Sequence, residues 1–132
     1  MVWSRFFSFR PGAPAFLLFS LPLAAGSSGC VRDLDYQTIS GEALYQARCA
    51  TCHGQLGDGD GPAARGLQPL PRSLSAASWQ DAVTDDHLRT TIVHGGTSVG
   101  RTSRMPPQPD LASHPEALER LVKHVRALKR AK

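Results

Sequence analysis

Leu118, Leu121, Val122, Val125 and Leu128 recur at spacings of three and four, which predicts a helix with one apolar stripe closing the chain. Just before it, Ser113-His114-Pro115-Glu116 sets a serine and a glutamate three apart with proline between them, so a capping box is expected at the helix start. A second helix is predicted from Thr84, whose hydroxyl can cap a first turn holding Asp85 and Asp86. Leu88, Thr91 and Ile92 form its inner face, and Gly95-Gly96 stops it. A shorter helix is predicted after Ser40, with Glu42 against its positive end and Leu44 and Tyr45 on one face.

The remaining apolar block lies at the N-terminus. Arg5 and Arg10 precede a run from Ala13 to Ala25, and small residues follow through Gly29, the pattern of a secretory signal peptide. The run is broken by Pro14 and Pro22 and is shorter than the roughly 20 apolar residues a spanning helix needs. Gly26-Ser27-Ser28-Gly29-Cys30 resembles the lipobox of bacterial lipoproteins, with Ser27 where an aliphatic residue usually stands. The resemblance implies lipidation of Cys30; ordinary cleavage leaving a free thiol is the alternative. The division expected is a signal peptide over 1–29, an anchor cysteine and short linker over 30–37, and one domain over 38–132. A lipid would hold that domain to a membrane without a spanning helix, and residues 31–37 reach roughly 25 Å when stretched.

Composition narrows the class. At 132 residues, 41% apolar and 20% charged, with 12 glycines and 10 prolines, the chain suits one loop-rich domain with a small core. A covalently held porphyrin would enlarge such a core. The formal charge is +4, and Arg5 and Arg10 leave with the leader, so +2 remains. That is too little for a nucleic-acid partner. The crowd of Arg120, Lys123, Arg126, Lys129, Arg130 and Lys132 reads as a solvated helix face rather than a docking patch. Residues 54–66, GQLGDGDGPAARG, are too rich in glycine for regular structure. Asp58 and Asp60 do not make them a calcium loop, because prolines 62 and 69 stand at ligand positions of the EF-hand pattern.

Cys49-Ala50-Thr51-Cys52-His53 carries the chemistry. It reads C-x-x-C-H, the attachment signature of a c-type haem. On a helical turn the two thiols can each add to a haem vinyl group, and the adjacent imidazole can serve as proximal ligand. Gly41-x-x-Leu44-Tyr45 followed by this motif and Gly54 resembles the single-haem bacterial cytochromes c, and the resemblance runs from about residue 38 to residue 130. It implies an all-α cytochrome c fold, about three main helices and long loops around one covalently bound haem c. It also implies a tight crossing of the first and last helices at Gly41, with His124 where an aromatic residue often stands. A proline carbonyl accepting from the second ring nitrogen of His53 is implied as well; Pro71 is the best match, with Pro69 and Pro62 open. Trp79 matches a tryptophan near a haem propionate, or is a plain core residue.

Met105 precedes Pro106-Pro107 and follows the turn Gly95 to Gly100, like the distal ligand segment of that family. Its thioether can fill the sixth position and raise the potential. His87, His94, His114 and His124 are the competing ligands. The function expected is one-electron transfer by an electron carrier that is not an enzyme, exported to the periplasmic side of a bacterial membrane. Its partners are then other redox proteins, membrane-bound if Cys30 is lipidated, and the protein is a monomeric domain or a subunit of a redox complex. Against this stand a gas sensor or peroxidase-like enzyme with a labile distal position and a thiol oxidoreductase using Cys49 and Cys52. A zinc module lacks a second ligand pair.

Overall fold

The computed structural model describes residues 34–130, so the expected leader and Cys30 lie outside the described residues. Five α-helices form among them: α1 (Gly41–Arg48), α2 (Ala50–His53), α3 (Ala77–Ala82), α4 (Asp85–His94) and α5 (Pro115–Ala127). Short 3-10 turns cover Pro62–Ala64, Gly96–Val99 and Pro109–Ser113. The fold is all-α, with no strand among the described residues and one isolated bridge between Ala76 and Arg130. The three longer helices are those predicted, and α3 is an addition. None of the described helices is long and apolar enough to cross a membrane.

Two of the expected caps form. The Ser40 hydroxyl accepts from the Ala43 N–H at 3.0 Å, and that of Thr84 from His87 N–H at 3.2 Å. The capping box of α5 does not form. Ser113 is the last residue of the preceding 3-10 turn, so His114 takes the cap position and makes no side-chain capping bond. Glu116 then stands second in the helix, one residue short of the place from which a box glutamate reaches back.

The crossing of α1 with α5 organises the core. Leu44 and Tyr45 from α1 are fully buried together with Leu118, Leu121, Val122 and Val125 of α5, Leu88, Ile92 and Val93 of α4, and Leu111. Each such aliphatic side chain contributes about 1.5–3 kcal/mol by leaving water. Gly41 permits the approach, since a Cβ there would fall on the Arg120 carbonyl group of α5. His124 packs at the same crossing, its ring 5.0 Å from that of Tyr45.

The basic end of the chain is built into the fold instead of forming a solvated face. Arg126 donates to Asp85 at 2.7 Å, to the carbonyls of Gln80 and Val83, and to the Gln80 side chain, tying α5 to α3 and α4. Arg89 of α4 clasps Glu119 with two bonds of 2.6 and 2.8 Å. Arg120 donates to the carbonyls of Ile39 and Tyr36, fastening the segment before α1. Gln80, which no sequence pattern singled out, is buried and gives its amide N–H groups to the carbonyls of Leu74 and Val125.

Candidate functional site

Cys49 closes α1, and its carbonyl accepts from Cys52 N–H at 3.1 Å and His53 N–H at 2.9 Å. The two thiols and the imidazole therefore share one helical turn. Both cysteines are free and partly buried. Burial pushes the Cys49 thiol up to about 11; the nearby Cys52 adds to this and the Arg48 charge opposes it. A disulfide-exchange site needs the reverse, a thiol lowered toward neutrality.

His53 is oriented by one contact. Its Nδ1 lies 3.0 Å from the Arg72 carbonyl oxygen. A carbonyl only accepts, so Nδ1 carries the proton and the Nε2 lone pair is available. Burial lowers the basicity of the imidazole, and the bond to Arg72 partly restores it. The acceptor expected at Pro71 is thus the carbonyl of the next residue, because Pro71 turns its own carbonyl toward the backbone at Gly59. Neither Pro69 nor Pro62 takes that place.

The glycine-rich loop folds back onto α2 and carries this arrangement. Gly59 N–H donates to the His53 carbonyl at 2.8 Å, Gly61 N–H to that of Cys52 at 3.2 Å, and Tyr45 Oη to that of Gly54 at 2.7 Å. A Cβ at Gly61 would fall among the backbone atoms of Ala50, Thr51 and Cys52. Farther on, Leu74 and Ser75 N–H groups both donate to the Gly57 carbonyl, and Ser75 Oγ donates to Asp58. So the loop links the C-x-x-C-H turn to the strand of chain holding Arg72. Asp58 is occupied by Ser75 and by Arg130 at 2.5 Å, a structural use of the residue that had suggested calcium.

Met105 lies where the chain returns to the end of α4. Its carbonyl accepts from Gly96 N–H at 3.0 Å, and Gln108 N–H donates to the Ile92 carbonyl at 3.0 Å. A Cβ at Gly96 would collide with the Thr102 carbonyl and touch the Met105 Cβ. The thioether is partly buried. Trp79 sits in α3, partly buried against the core, and among the described residues its indole N–H donates to nothing. Two of the competing histidines have other contacts: His114 stacks on Tyr36 at 4.2 Å, and His124 packs on Tyr45. His87 is in the first turn of α4 and His94 is exposed at its end.

This donor set fits haem c. Two free thiols three residues apart are paired with an imidazole whose Nε2 is left as the accepting nitrogen. With the helical fold around it, the arrangement defines a c-type cytochrome. Residues 37–125 match the family described as Cytochrome C oxidase, cbb3-type, subunit III, and the chain belongs to that family of cytochrome c domains. It is also similar to the solved structure of the KustC0563 c-type cytochrome, at 31% identity and a TM-score of 0.51, over 70% of this chain and the whole of that one. Membership implies haem c binding and electron transfer through it.

Proposed function

We propose that this protein is a one-electron carrier with a single haem c, joined covalently to Cys49 and Cys52 and ligated axially by His53 and Met105. When bound, the haem supplies an iron that gains and loses one electron. The protein's part is to keep that change small. The Arg72 carbonyl fixes the His53 ring and raises its basicity as a ligand. The bond between Gly96 and Met105 anchors the methionine segment to α4. Trp79, with its indole N–H uncommitted, is suited to donate to a propionate. With both axial positions filled by side chains there is no place for a substrate, so the protein is an electron carrier and not an enzyme.

The observation that carries this reading is the bond from His53 Nδ1 to Arg72, which leaves Nε2 free beside two unpaired thiols. The leader and Cys30 extend the proposal to a protein exported to the periplasmic side of a bacterial membrane and held there by lipid on Cys30. Its partners would be membrane-bound redox proteins. The mass of the mature N-terminus decides the anchor, an unmodified Cys30 counting against it.

The central test is an absorption spectrum of protein produced with haem maturation, oxidised and reduced. Haem that stays with the chain after denaturation is expected, and its loss when both cysteines are changed to serine. Met105→Ala should open the sixth position to carbon monoxide and lower the potential. Carbon monoxide binding to the unaltered reduced protein would instead favour a gas sensor or a peroxidase-like enzyme. An unchanged spectrum in Met105→Ala would favour one of the histidines.

A further inference from the structure

The arginines of the described residues fall into two groups. Arg48, Arg89, Arg120, Arg126 and Arg130 are engaged by carboxylates or backbone carbonyls. Arg65, Arg72, Arg101 and Arg104 are exposed, and their side chains make no ion pair or hydrogen bond among the described residues. The second group is confined to two loops. Residues 61–80 and 94–109 contain no aspartate or glutamate, although acidic residues occur on α1, on α4, on α5 and in the intervening turns.

Both loops border the candidate site. The first holds His53 through the Arg72 carbonyl, and the second ends in Met105. Leu70, one of the large apolar side chains left most open, lies between Arg65 and Arg72 at 63% exposure. Uncompensated charge of one sign raises the local concentration of oppositely charged partners and orients their approach, while an exposed apolar residue supplies the contact once they arrive. Arginine suits the task because its planar fork pairs with carboxylates.

We propose that the two acid-free loops, with Arg65, Arg72, Arg101 and Arg104 around Leu70, form the docking face for a redox partner that presents a carboxylate-rich surface. This rests on the reading of His53 and Met105 as the two axial ligands, since that reading makes the loops the border of the electron's entry and exit. A protein partner is favoured over an anionic bilayer because the free charge gathers on the segments next to the ligands. The basic C-terminal helix, the more obvious patch in sequence, has most of its cations held internally.

The test uses the full-length haem-loaded protein. Arg65, Arg101 and Arg104 are changed together to glutamine, and Arg72 is kept because its carbonyl holds His53. Lys123→Gln, on an exposed position of α5, is the control. The oxidised protein is mixed with anionic ferrous EDTA or cationic hexaammineruthenium(II), each giving one electron to the protein. At low ionic strength the triple variant should be reduced by ferrous EDTA about fivefold or more slowly than the unaltered protein and by the ruthenium complex faster. The difference should collapse in high salt, and the control should shift neither rate. Equal rates for variant and unaltered protein, with the haem spectrum intact, would overturn the docking face alone. Absence of the covalent haem spectrum would overturn the electron-carrier reading first. A third arm sediments both proteins with phosphatidylglycerol vesicles: equal sedimentation supports a protein partner, and a loss confined to the triple variant would assign the face to a bilayer and overturn the proposal.

Discussion

Where α1 crosses α5, side chains do the holding: Leu44, Tyr45, Leu121, Val122 and Val125 are buried against one another. Around α2, the loop of residues 54–75 is held by the backbone, through bonds from Gly59 to His53, Gly61 to Cys52, and Leu74 to Gly57. The first region is stabilised by apolar area removed from water, which tolerates changes of shape at the margin. The second relies on amide groups that have one partner each and no room for a Cβ between them. So the clamp sets stability while the loop sets geometry, and glycine is used in both for close approach.

The clamp should be the more easily broken. Gly41→Ala places its methyl on the Arg120 carbonyl of the facing helix, backbone against backbone, and neither helix can yield locally. A loss of about 3 kcal/mol is expected, as for an overpacked core. The helix propensity alanine gains at an end position is smaller than this. Gly66→Ala is the comparison: nothing lies near its would-be Cβ, and only its positive φ of 79° stands against it. About 1 kcal/mol is expected there. Denaturant midpoints of the two haem-loaded variants at unchanged slope measure the contrast. Equal losses would mean that the α1 and α5 crossing is looser than it stands here.

The helix ends give a smaller contrast of the same kind. Ser40→Ala removes the bond to Ala43 N–H and should cost about 1 kcal/mol. Ser113→Ala, at the residue the sequence marks as a cap, should stay within about 0.5 kcal/mol because its side chain caps nothing. A loss at Ser113 as large as that at Ser40 would show that the box forms after all. Thermal unfolding of the pair is enough to decide.

These comparisons explain what could be read in advance. The stripe of α5 and the caps at Ser40 and Thr84 are local patterns, and the helices they predict are present. Cys49, Cys52 and His53 were legible because attachment chemistry demands adjacent residues. The acceptor for His53 was displaced from Pro71 to Arg72 because a carbonyl's direction depends on how the loop closes on Gly59, which leaves no mark on residue type. Gln80 and the arginines of α5 were misjudged for a related reason. A polar residue on a helix looks solvated until a distant carbonyl or carboxylate is brought to it, as Val125 is to Gln80 and Asp85 to Arg126.

The smallest expected effect concerns the polar strap that fastens the segment before α1. Arg48 donates to Asp110 at 2.7 Å and to Tyr36 Oη, and Tyr36 Oη donates to the same carboxylate; Gln108 and the stacked ring of His114 complete the group. Burial raises the Asp110 carboxyl, but the bonds from Tyr36 and Arg48 and the Arg48 charge outweigh it, so the group lies below its ordinary 3.8. A carboxylate depressed in the folded state stabilises fully above its unfolded value and loses that contribution as pH falls through the folded one. Asp110→Asn lacks the contribution at every pH. Its deficit against the unaltered protein should therefore be present at pH 6 and shrink as pH is taken below 3.8. Other carboxylates, Glu119 among them, destabilise both proteins in parallel over the same range, so the difference between denaturation midpoints is what matters. A deficit that stays constant down to acid pH would mean that the strap is held by the shape of the contact and not by its charge. The segment before α1 would then belong, with the helix crossing, to the part of the molecule that packing alone holds.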